Sequence, residues 1–327
     1  MARSVAIVGA GQIAYEMVAA FSDDWHITLH ARSKPQWLGE MPCPFVPFVR
    51  GEDEVPSADC VIDTIAFDEG DVTDYDPDRV GRLIAISSAS VYRDTEGRTL
   101  DEAATCGFPE FTGPITEDQP TVAPGPDTYS TRKIRMEKAA RARFGERATI
   151  MRPCAIYGLW SRHPREYWFV KRLLDGRARI PVMHPEVSRF QTTNARDIAE
   201  LALEMAHAEI GGTFNIADEY GPSVADIARE IGEFTGRHAE LVEVPADKGS
   251  TIGRTPWSVP RPFLIDGSKA RAACGRAGST YWPNARDAVE WLVEHNPADW
   301  RAAFPQMTVY PWDLFDYAAE DAAMDAL

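Results

Sequence analysis

Short apolar runs alternate with stretches of helical periodicity through the first half of the chain. The runs are rich in Val, Ile and Leu and have the length of buried strands; they fall at residues 4–8, 26–30, 45–49, 60–66, 83–87 and 148–152. Two stretches between them, residues 12–20 and 129–144, repeat apolar side chains at helical spacing. Strands that alternate with helices predict an α/β fold of Rossmann type, a doubly wound parallel sheet with helices on both faces.

The pattern becomes less regular beyond residue 160. It predicts a short strand at residues 213–216 and helices at 166–175, 197–208, 223–235, 285–294 and 316–326. We therefore expect a Rossmann domain of residues 1–160 with about 191–217, and a smaller C-terminal α/β lobe of residues 161–190 and 218–327. Residues 93–127 are rich in Gly, Pro, Thr and acidic side chains, which predicts a long loop in the first domain.

Composition and charge narrow the functional classes. The 327 residues are 44% hydrophobic and 26% charged, as in an ordinary globular protein. The net charge of −16 repels phosphate backbones, so we expect no nucleic-acid partner. No apolar run approaches the ~18–20 residues of a membrane span, and the chain enters a strand pattern without a signal-peptide pattern, so we expect a cytoplasmic protein without membrane contact. The five cysteines and seven histidines lack metal-ligand spacing, and no metal is expected.

A glycine-rich turn joins the first predicted strand to the first predicted helix. The segment Gly9-Ala10-Gly11-Gln12-Ile13-Ala14 matches the GxGxxA fingerprint of dinucleotide-binding proteins. In that fingerprint the first glycine permits the tight turn, and the second allows backbone N–H groups to approach a pyrophosphate at the helix N-terminus. The final small residue allows the helix to pack on the sheet. The sequence therefore predicts a dinucleotide site.

The end of the second strand indicates which dinucleotide binds. An NAD site usually has an acidic residue about 20 residues after the glycines, where it binds the ribose hydroxyls. This chain has Arg32, Ser33 and Lys34 there instead. Two cations and a hydroxyl suit a 2′-phosphate, so we favour NADP and keep NAD as the alternative.

Three further motifs follow in order along the chain. Ser87-Ser88-Ala89-Ser90-Val91-Tyr92 ends the fifth strand, Tyr129 and Lys133 form a YxxxK, and Arg152-Pro153-Cys154-Ala155-Ile156-Tyr157-Gly158 ends the sixth strand. With the glycine loop, this order resembles the extended short-chain dehydrogenase/reductase superfamily, the NAD(P)-dependent epimerase/dehydratase group. The resemblance continues through residues 190–202, where Asp197 matches an Asp of the family, and 212–217. It covers about residues 4–235.

The YxxxK pair carries the predicted chemistry. Residues four apart share one helix face, so Tyr129 and Lys133 can point into one cleft. A free phenol has a pKa near ~10, and we expect the Lys133 ammonium and an oxidised nicotinamide to lower the pKa of Tyr129 so that it can act as general acid or base. A second YxxxK, Tyr167 with Lys171, lies beyond the last core strand and is interpreted as structural.

The resemblance implies roles for individual residues. It makes Ser88, Tyr129 and Lys133 the catalytic triad, with the Ser88 hydroxyl on the substrate oxygen and Lys133 also on the nicotinamide ribose. Strand direction alone leaves Ser87 and Ser90 as neighbouring hydroxyl candidates. The expected cofactor-binding residues are Gly9, Gly11, Gln12, Ile13, Arg32, Ser33, Lys34, Ala66, Ser87, Lys133 and Pro153.

The resemblance implies that a small-molecule substrate binds between the nucleotide domain and the C-terminal lobe. The candidate substrate-binding residues are Ser90, Arg165, Arg189 and Trp257. The arginines suit an anionic ligand and the aromatic residue suits a planar one. The resemblance also implies a homodimer that uses the helix at residues 129–144.

Four departures from the family pattern identify an atypical member. Val8 occupies a position that is usually glycine, and Ser88-Ala89-Ser90 replaces the Thr-Asp-Glu of sugar-nucleotide dehydratases, which disfavours 4,6-dehydration. Ala155 replaces an Asn that contacts the substrate in nucleotide-sugar enzymes. The loop at residues 93–127 lengthens the interval between the serines and Tyr129, and can form a lid or substrate wall, or a solvated surface loop.

The leading hypothesis is an NAD(P)-dependent oxidoreductase that transfers hydride between nicotinamide and a carbonyl or secondary alcohol, with Tyr129 as acid/base. The alternative is an NAD(P)-dependent sugar or nucleotide-sugar epimerase, which uses the same residues without net redox. A non-catalytic NADP-binding regulator is the third hypothesis.

Overall fold

The computed structural model describes residues 3–246 and 250–327. The strands are β1 (Arg3–Val8), β2 (Trp25–Ala31), β3 (Phe45–Pro47), β4 (Cys60–Asp63), β5 (Arg82–Ile86), β6 (Ala148–Pro153), β7 (Ala155–Tyr157), β8 (Arg179–Val182), β9 (Thr192–Asn194), β10 (Gly212–Ile216) and β11 (Glu240–Glu243). The helices are α1 (Gln12–Phe21), α2 (Glu69–Thr73), α3 (Ala103–Cys106), α4 (Tyr129–Phe144), α5 (Tyr167–Leu174), α6 (Ala195–His207), α7 (Val224–Thr235), α8 (Ser268–Cys274), α9 (Tyr281–Asn284), α10 (Arg286–His295), α11 (Trp300–Ala303) and α12 (Tyr317–Asp325).

The chain forms two compact units. The first consists of Met1–Ile156, Thr193–Glu219 and Ile265–Ser279, and the second of Tyr157–Thr192, Tyr220–Leu264 and Thr280–Leu327. Residues 265–279, which the sequence analysis assigned to the C-terminal lobe, lie in the first unit because α8 packs on α6 and β10. Residues 1–2 and 247–249, which the predicted domains also include, lie outside the described residues.

A seven-stranded parallel sheet forms the centre of the first unit. Its strand order is β10-β6-β5-β4-β1-β2-β3. From β1, the chain adds β2 and β3 on one side and β4, β5, β6 and β10 on the other, so the switch point of the topology lies between β1 and β4. Residues 5–8 of β1 and the whole of β4 are buried, as strands covered on both faces require. In this sheet class, ligands bind outside the carboxyl ends of the strands at the switch point. The predicted doubly wound α/β fold is confirmed.

Helix α4 of the first unit begins and ends where the sequence supplies caps. Thr128 and Thr131 form a capping box at the start of α4, and Gly145, with φ +57°, follows its last residue. The buried side of α4 packs on β5 and β6, while α1 packs beside α6. The outward positions of α4 are mainly basic: Arg132, Arg135, Lys138, Arg141 and Arg143. A homodimer along this helix stays a prediction.

The long loop at residues 93–127 contains only one short helix, α3, and is nevertheless tightly fastened. The Asp94 carboxylate, 2% exposed, accepts hydrogen bonds from the backbone N–H groups of Glu96, Arg98 and Glu110 and from the Arg98 guanidinium. Burial opposes ionisation of Asp94, but these hydrogen bonds outweigh it and lower the pKa to about 2. The loop is therefore a structured part of the first unit.

The second unit has a small sheet and an aromatic core. β8 and β11 pair in parallel. Arg172, 1% exposed, has its guanidinium 3.5 Å from the centre of the Trp168 ring and pairs with Glu320 of α12. This pair fixes the C-terminal helix to α5. Within the described residues, no helix is both long and apolar enough to cross a bilayer.

Candidate active site

Three loops lie side by side at the carboxyl ends of the strands, at and beside the topological switch point between β1 and β4. Gly9–Gly11 follow β1, residues 64–68 follow β4, and residues 87–90 follow β5. Because β4 lies between β1 and β5, the middle loop can contact both of its neighbours. The predicted glycine, serine and lysine residues of the first unit lie around these loops.

The glycine loop contacts the loop after β4. Gly9 has φ +110°, and a Cβ added there would lie 2.2 Å from Thr64 Oγ1 and 2.8 Å from Ile65 Cγ2. Only glycine satisfies both the backbone angle and this close approach. A Cβ added at Gly11, by contrast, meets no atom within 4 Å. The outer side of the loop is thus open where the fingerprint places a pyrophosphate.

The start of α1 can receive an anion. Within residues 3–246 and 250–327, no side chain caps α1 at Gly11. Helix N-terminal N–H groups without partners favour anionic groups. The Trp37 indole, which the sequence analysis missed, donates to the Ala10 carbonyl oxygen at 3.1 Å and supports the loop from below. These features fit a dinucleotide pyrophosphate.

The other predicted cofactor residues have distinct environments. Arg32, Ser33 and Lys34 are all exposed directly after β2, so their polar groups are accessible to a ligand. Ile13 is buried in the first turn of α1, and Pro153 is buried at the end of β6. Their roles as nucleotide contacts stay predictions.

The structure brings Ser88, Tyr129 and Lys133 together. The Ser88 side chain interacts with the Tyr129 phenol and acts to lower its pKa, and the Lys133 Nζ atom lies 5.7 Å from the centre of the Tyr129 ring. Tyr129 and Lys133 are the first and fifth residues of α4, so they share one helix face. Tyr129 is 46% exposed and Lys133 only 6%, so the phenol is open to a ligand above an ammonium that is nearly sealed.

Lys133 connects the middle loop with β5. Its Nζ atom donates to the carbonyl oxygens of Ala66, at 2.6 Å, and Ile86, at 2.9 Å. An ammonium has three N–H donors, so one remains for another group. Burial lowers the pKa of Lys133 to about 8, against smaller opposing effects of nearby carboxylates. The Ala66 carbonyl oxygen therefore orients the Lys133 side chain.

The expected lowering of the pKa of Tyr129 by Lys133 is not found. Burial raises the pKa of Tyr129 above its ordinary value, the interaction with Ser88 opposes this rise and the charge of Asp101 adds to it. The physical reason is that Lys133 is directed at two backbone carbonyls instead of the phenol oxygen. Tyr129 therefore carries its proton at neutral pH.

The structure distinguishes the three serine hydroxyls. Ser87 is 4% exposed, and its hydroxyl donates to Glu137 Oε1 at 2.5 Å, so its side chain is turned away from the open side of Tyr129. Cofactor binding by Ser87 stays a prediction. Ser88 and Ser90 have their Oγ atoms 3.0 Å apart, and Ser130 Oγ lies 2.9 Å from Ser90 Oγ. Ser130, directly after Tyr129, was not predicted.

A buried ion pair between Glu137 and Arg152 lies next to the serine segment and binds the Ser87 hydroxyl. The Glu137 carboxylate binds the Arg152 guanidinium through two hydrogen bonds, of 2.9 and 2.6 Å. Arg152 also donates to the Tyr92 hydroxyl at 3.0 Å, which donates to Asn215. The sequence carried a signal for this pair: Glu137 lies four residues after Lys133 on the same face, and Arg152 interrupts a buried strand.

An aromatic platform holds the Tyr129 ring. Phe67, on the loop after β4, packs against Tyr129 with ring centroids 5.4 Å apart. The Arg132 guanidinium lies 4.0 Å from the centre of the Phe67 ring and is held by Asp68 at 2.8 Å. The loop that contacts Gly9 and Lys133 therefore also packs against the phenol.

The remaining substrate candidates belong to the second unit. Trp257 is 2% exposed and stacks on Phe169, so little of its surface is open, and its assignment as a substrate wall stays a prediction. Arg189 is exposed and lines a groove with Tyr220 and Trp282. Arg165 is half-buried. Substrate binding by the two arginines stays a prediction.

The second YxxxK has the environment expected of a structural pair. Tyr167 is fully buried in the second unit and packs edge-on against Phe304. Lys171 pairs with Asp175 one turn later in α5. Tyr129 and Tyr167 thus share a motif but differ in exposure.

Comparison with known proteins supports the fold assignment. No family model and no curated protein matches the sequence. Among solved structures, the dTDP-glucose 4,6-dehydratase of Bacillus anthracis str. Ames in complex with NAD is 17% identical, covers 92% of this chain and 100% of its own, and has a TM-score of 0.65. The UDP-glucuronic acid 4-epimerase of Bacillus cereus, in complex with UDP-glucuronic acid and NAD, is 16% identical over 93% of this chain and 99% of its own, with a TM-score of 0.62.

These similarities define the class of fold. The UDP-N-acetylglucosamine 4-epimerase of Bacillus cereus gives a similar result, with 15% identity, a TM-score of 0.63 and coverage of 89% and 99% of the two chains. The chain therefore has the fold of the extended short-chain dehydrogenases/reductases. The resemblance inferred from the motifs is confirmed at the level of the fold.

Proposed function

We propose that the protein is an NAD(P)-dependent oxidoreductase of the extended short-chain dehydrogenase/reductase type. It transfers hydride between a nicotinamide and a carbonyl or secondary alcohol of a small-molecule substrate. The observation that carries the proposal is the Ser88–Tyr129–Lys133 group, which is joined through Ala66 to the loop that contacts Gly9. A proton donor and a dinucleotide fingerprint thus lie on neighbouring segments at one edge of the sheet.

Each residue has a separable task. The nicotinamide, when bound, supplies or accepts the hydride. Tyr129 donates its phenolic proton to the substrate oxygen during reduction, or accepts it during alcohol oxidation. The Ser88 hydroxyl donates a hydrogen bond to the same oxygen and stabilises negative charge as it develops. Lys133 has one free N–H donor for the nicotinamide ribose, while its other donors keep it fixed.

NADP is the dinucleotide that we favour. The exposed cations Arg32 and Lys34, with Ser33 between them, follow β2 where an adenosine 2′-phosphate is expected. The similar dehydratase and epimerase structures contain NAD, so NAD is the alternative. The Arg32→Ala variant tests this point: calorimetry should show weaker NADPH binding with little change for NADH. An unaltered ratio of the two affinities would refute the NADP preference.

An epimerase is the second candidate, and the epimerases among the similar structures favour it. It would oxidise and re-reduce one carbon with the same Tyr129 and return to its starting redox state. Native mass spectrometry separates the two proposals. A retained dinucleotide without net consumption of added NADPH supports the epimerase, while a freely exchanging dinucleotide consumed by a carbonyl substrate supports the oxidoreductase.

The central experiment compares two tyrosine variants. Tyr129→Phe should leave dinucleotide affinity nearly unchanged and reduce turnover by at least about 10²-fold, because the acid/base group is lost. The matched control, Tyr167→Phe, removes the hydroxyl of the other YxxxK and should keep turnover within about threefold. Binding and biological effect that both survive Tyr129→Phe unchanged would instead identify a non-catalytic regulator. Absence of NAD(P)(H) binding at millimolar concentration would refute all three hypotheses.

A further inference from the structure

The long loop at residues 93–127 contacts the first turn of the helix that carries Tyr129. Asp101 Oδ2 accepts a hydrogen bond from the Ser130 backbone N–H at 2.8 Å. Thr128 caps the N–H of Thr131, and Asp101 accepts from the Ser130 N–H, which the capping box does not bind. A carboxylate in this position also opposes the positive end of the helix dipole. The cap of α4 is therefore completed from outside the helix.

The loop can hold Asp101 in place because it is fastened on both sides. Asp94 ties the loop together on the N-terminal side through its buried hydrogen bonds. On the C-terminal side, the Ile115 carbonyl oxygen accepts from Asn215 Nδ2 at 3.0 Å, and Glu117 Oε1 accepts from the Asn215 N–H at 2.7 Å. The segment is a fixed wall of the first unit.

Ser130, whose backbone N–H binds Asp101, also belongs to a cluster of serine side chains beside Tyr129. Ser130 Oγ lies 3.0 Å from the Ser90 carbonyl oxygen and 2.9 Å from Ser90 Oγ, which lies 3.0 Å from Ser88 Oγ. Ser88 in turn interacts with the Tyr129 phenol. Displacement of Ser130 would therefore reach the phenol both through the helix backbone and through the serine hydroxyls.

We propose that Asp101 is a positioning residue for Tyr129, which fixes the first turn of α4 and adds a negative charge beside the phenol. This rests on the proposed function only for its catalytic consequence, since both effects exist without substrate. The charged groups that face Tyr129 are Asp101 from the loop, Lys133 on α4, and Arg132 with Asp68 across the Phe67 ring. Asp101 raises the pKa of the phenol.

Two substitutions separate the structural effect from the charge. Asp101→Asn removes the charge but keeps an oxygen that can accept from Ser130 N–H, whereas Asp101→Ala removes both. The control is Asp118→Asn, which makes the same charge change at an exposed position of the same loop. Amide hydrogen exchange reports the first turn of α4, and NMR titration of 13C-labelled tyrosine, assigned with Tyr129→Phe, reports the phenol.

Asp101→Ala should accelerate exchange of the Ser130 amide about tenfold while amides in the middle of α4 keep their protection, and Asp101→Asn should have a much smaller effect. Both variants should lower the pKa of Tyr129 relative to Asp118→Asn. In a carbonyl reduction, the basic limb of the pH profile of kcat/KM should move to lower pH by the same amount. Unchanged Ser130 exchange in Asp101→Ala, or an unchanged Tyr129 titration in Asp101→Asn, would overturn the proposal even in a protein that binds dinucleotide normally. Failure of dinucleotide binding alone would leave these two readouts intact and refute only the proposed function.

Discussion

The buried Glu137–Arg152 pair offers the sharpest test of how the site is supported. Glu137 is 4% exposed and Arg152 6%, and the carboxylate accepts three hydrogen bonds, from Ser87 and twice from Arg152. Burial acts to lower the pKa of Arg152, but the hydrogen bonds and charge of Glu137 and Tyr92 outweigh it and raise that pKa. The guanidinium thus stays charged, and Glu137→Leu would leave it buried without a counter-charge.

The expected cost follows from that isolation. Removing one partner of a buried pair costs about 3–5 kcal/mol of unfolding free energy. At about 2–4 °C per kcal/mol for a domain of this size, the melting temperature should fall by roughly 6–20 °C. Because paired apolar replacement removes both charges, the double variant Glu137→Leu with Arg152→Met should recover most of this loss. The control is Glu146→Leu, at an exposed position in the short turn that follows α4, for which little change in melting temperature is expected.

Thermal and urea unfolding, followed by circular dichroism, measure these differences. A Glu137→Leu variant destabilised by less than about 1 kcal/mol would refute the argument that the pair is electrostatically isolated. A double variant as unstable as the single one would show that the lost hydrogen bonds of Ser87 and Tyr92, and not the uncompensated charge, dominate the free energy.

Three further predictions concern the candidate active site. Gly11→Ala should leave unfolding free energy within about 1 kcal/mol of the parent but weaken dinucleotide binding in calorimetry, since its Cβ points into open space; equal affinity would show that no pyrophosphate lies there. Gly9→Ala should lower the melting temperature itself, because its Cβ would collide with Thr64 Oγ1 at a positive φ; a parent-like melting temperature would contradict the contact. Lys133 has a pKa of about 8 in the folded protein against 10.5 in the unfolded chain, so the unfolded chain binds more protons between these two pH values. The unfolding free energy of the parent, measured relative to that of Lys133→Met, should therefore rise as the pH increases from about 8 to 10.5. A difference that does not change with pH would contradict the burial of the ammonium.

Periodicity predicted the sheet well because its strands are short and buried on both faces. The observed β1, β2, β5 and β6 lie within one or two residues of the predicted runs. The run at residues 60–66 ends as a strand at Asp63, because the following residues leave the sheet to contact Gly9, Tyr129 and Lys133. The short strands β8 and β11 of the second unit were missed, since Pro181 interrupts the apolar run of β8 and a glutamate stands at each end of β11.

The candidate site was predictable where a motif fixes residue type and spacing, and not where support comes from distant residues. Tyr129 and Lys133 are four residues apart, so helical geometry alone places them together. Asp101 and Trp37 reach the site through tertiary contacts, with Ser130 N–H and the Ala10 carbonyl oxygen, which no local pattern encodes. The same limit explains the error over the pKa of Tyr129, because spacing shows that a lysine is near but not that backbone carbonyls hold its ammonium.

The protonation state of the site favours one direction of the proposed reaction. Burial and Asp101 raise the pKa of Tyr129, and the pKa of Lys133, although lowered, is about 8. Both groups therefore carry their protons at neutral pH, the state in which Tyr129 can donate a proton to a carbonyl oxygen. Oxidation of an alcohol requires the phenolate, which the protein without bound nucleotide disfavours. Since a positive charge nearby stabilises a phenolate, an oxidised nicotinamide bound beside Tyr129 would shift this balance. The dinucleotide redox state and the protonation of Tyr129 should thus be coupled, with the reduced dinucleotide matched to the protonated tyrosine.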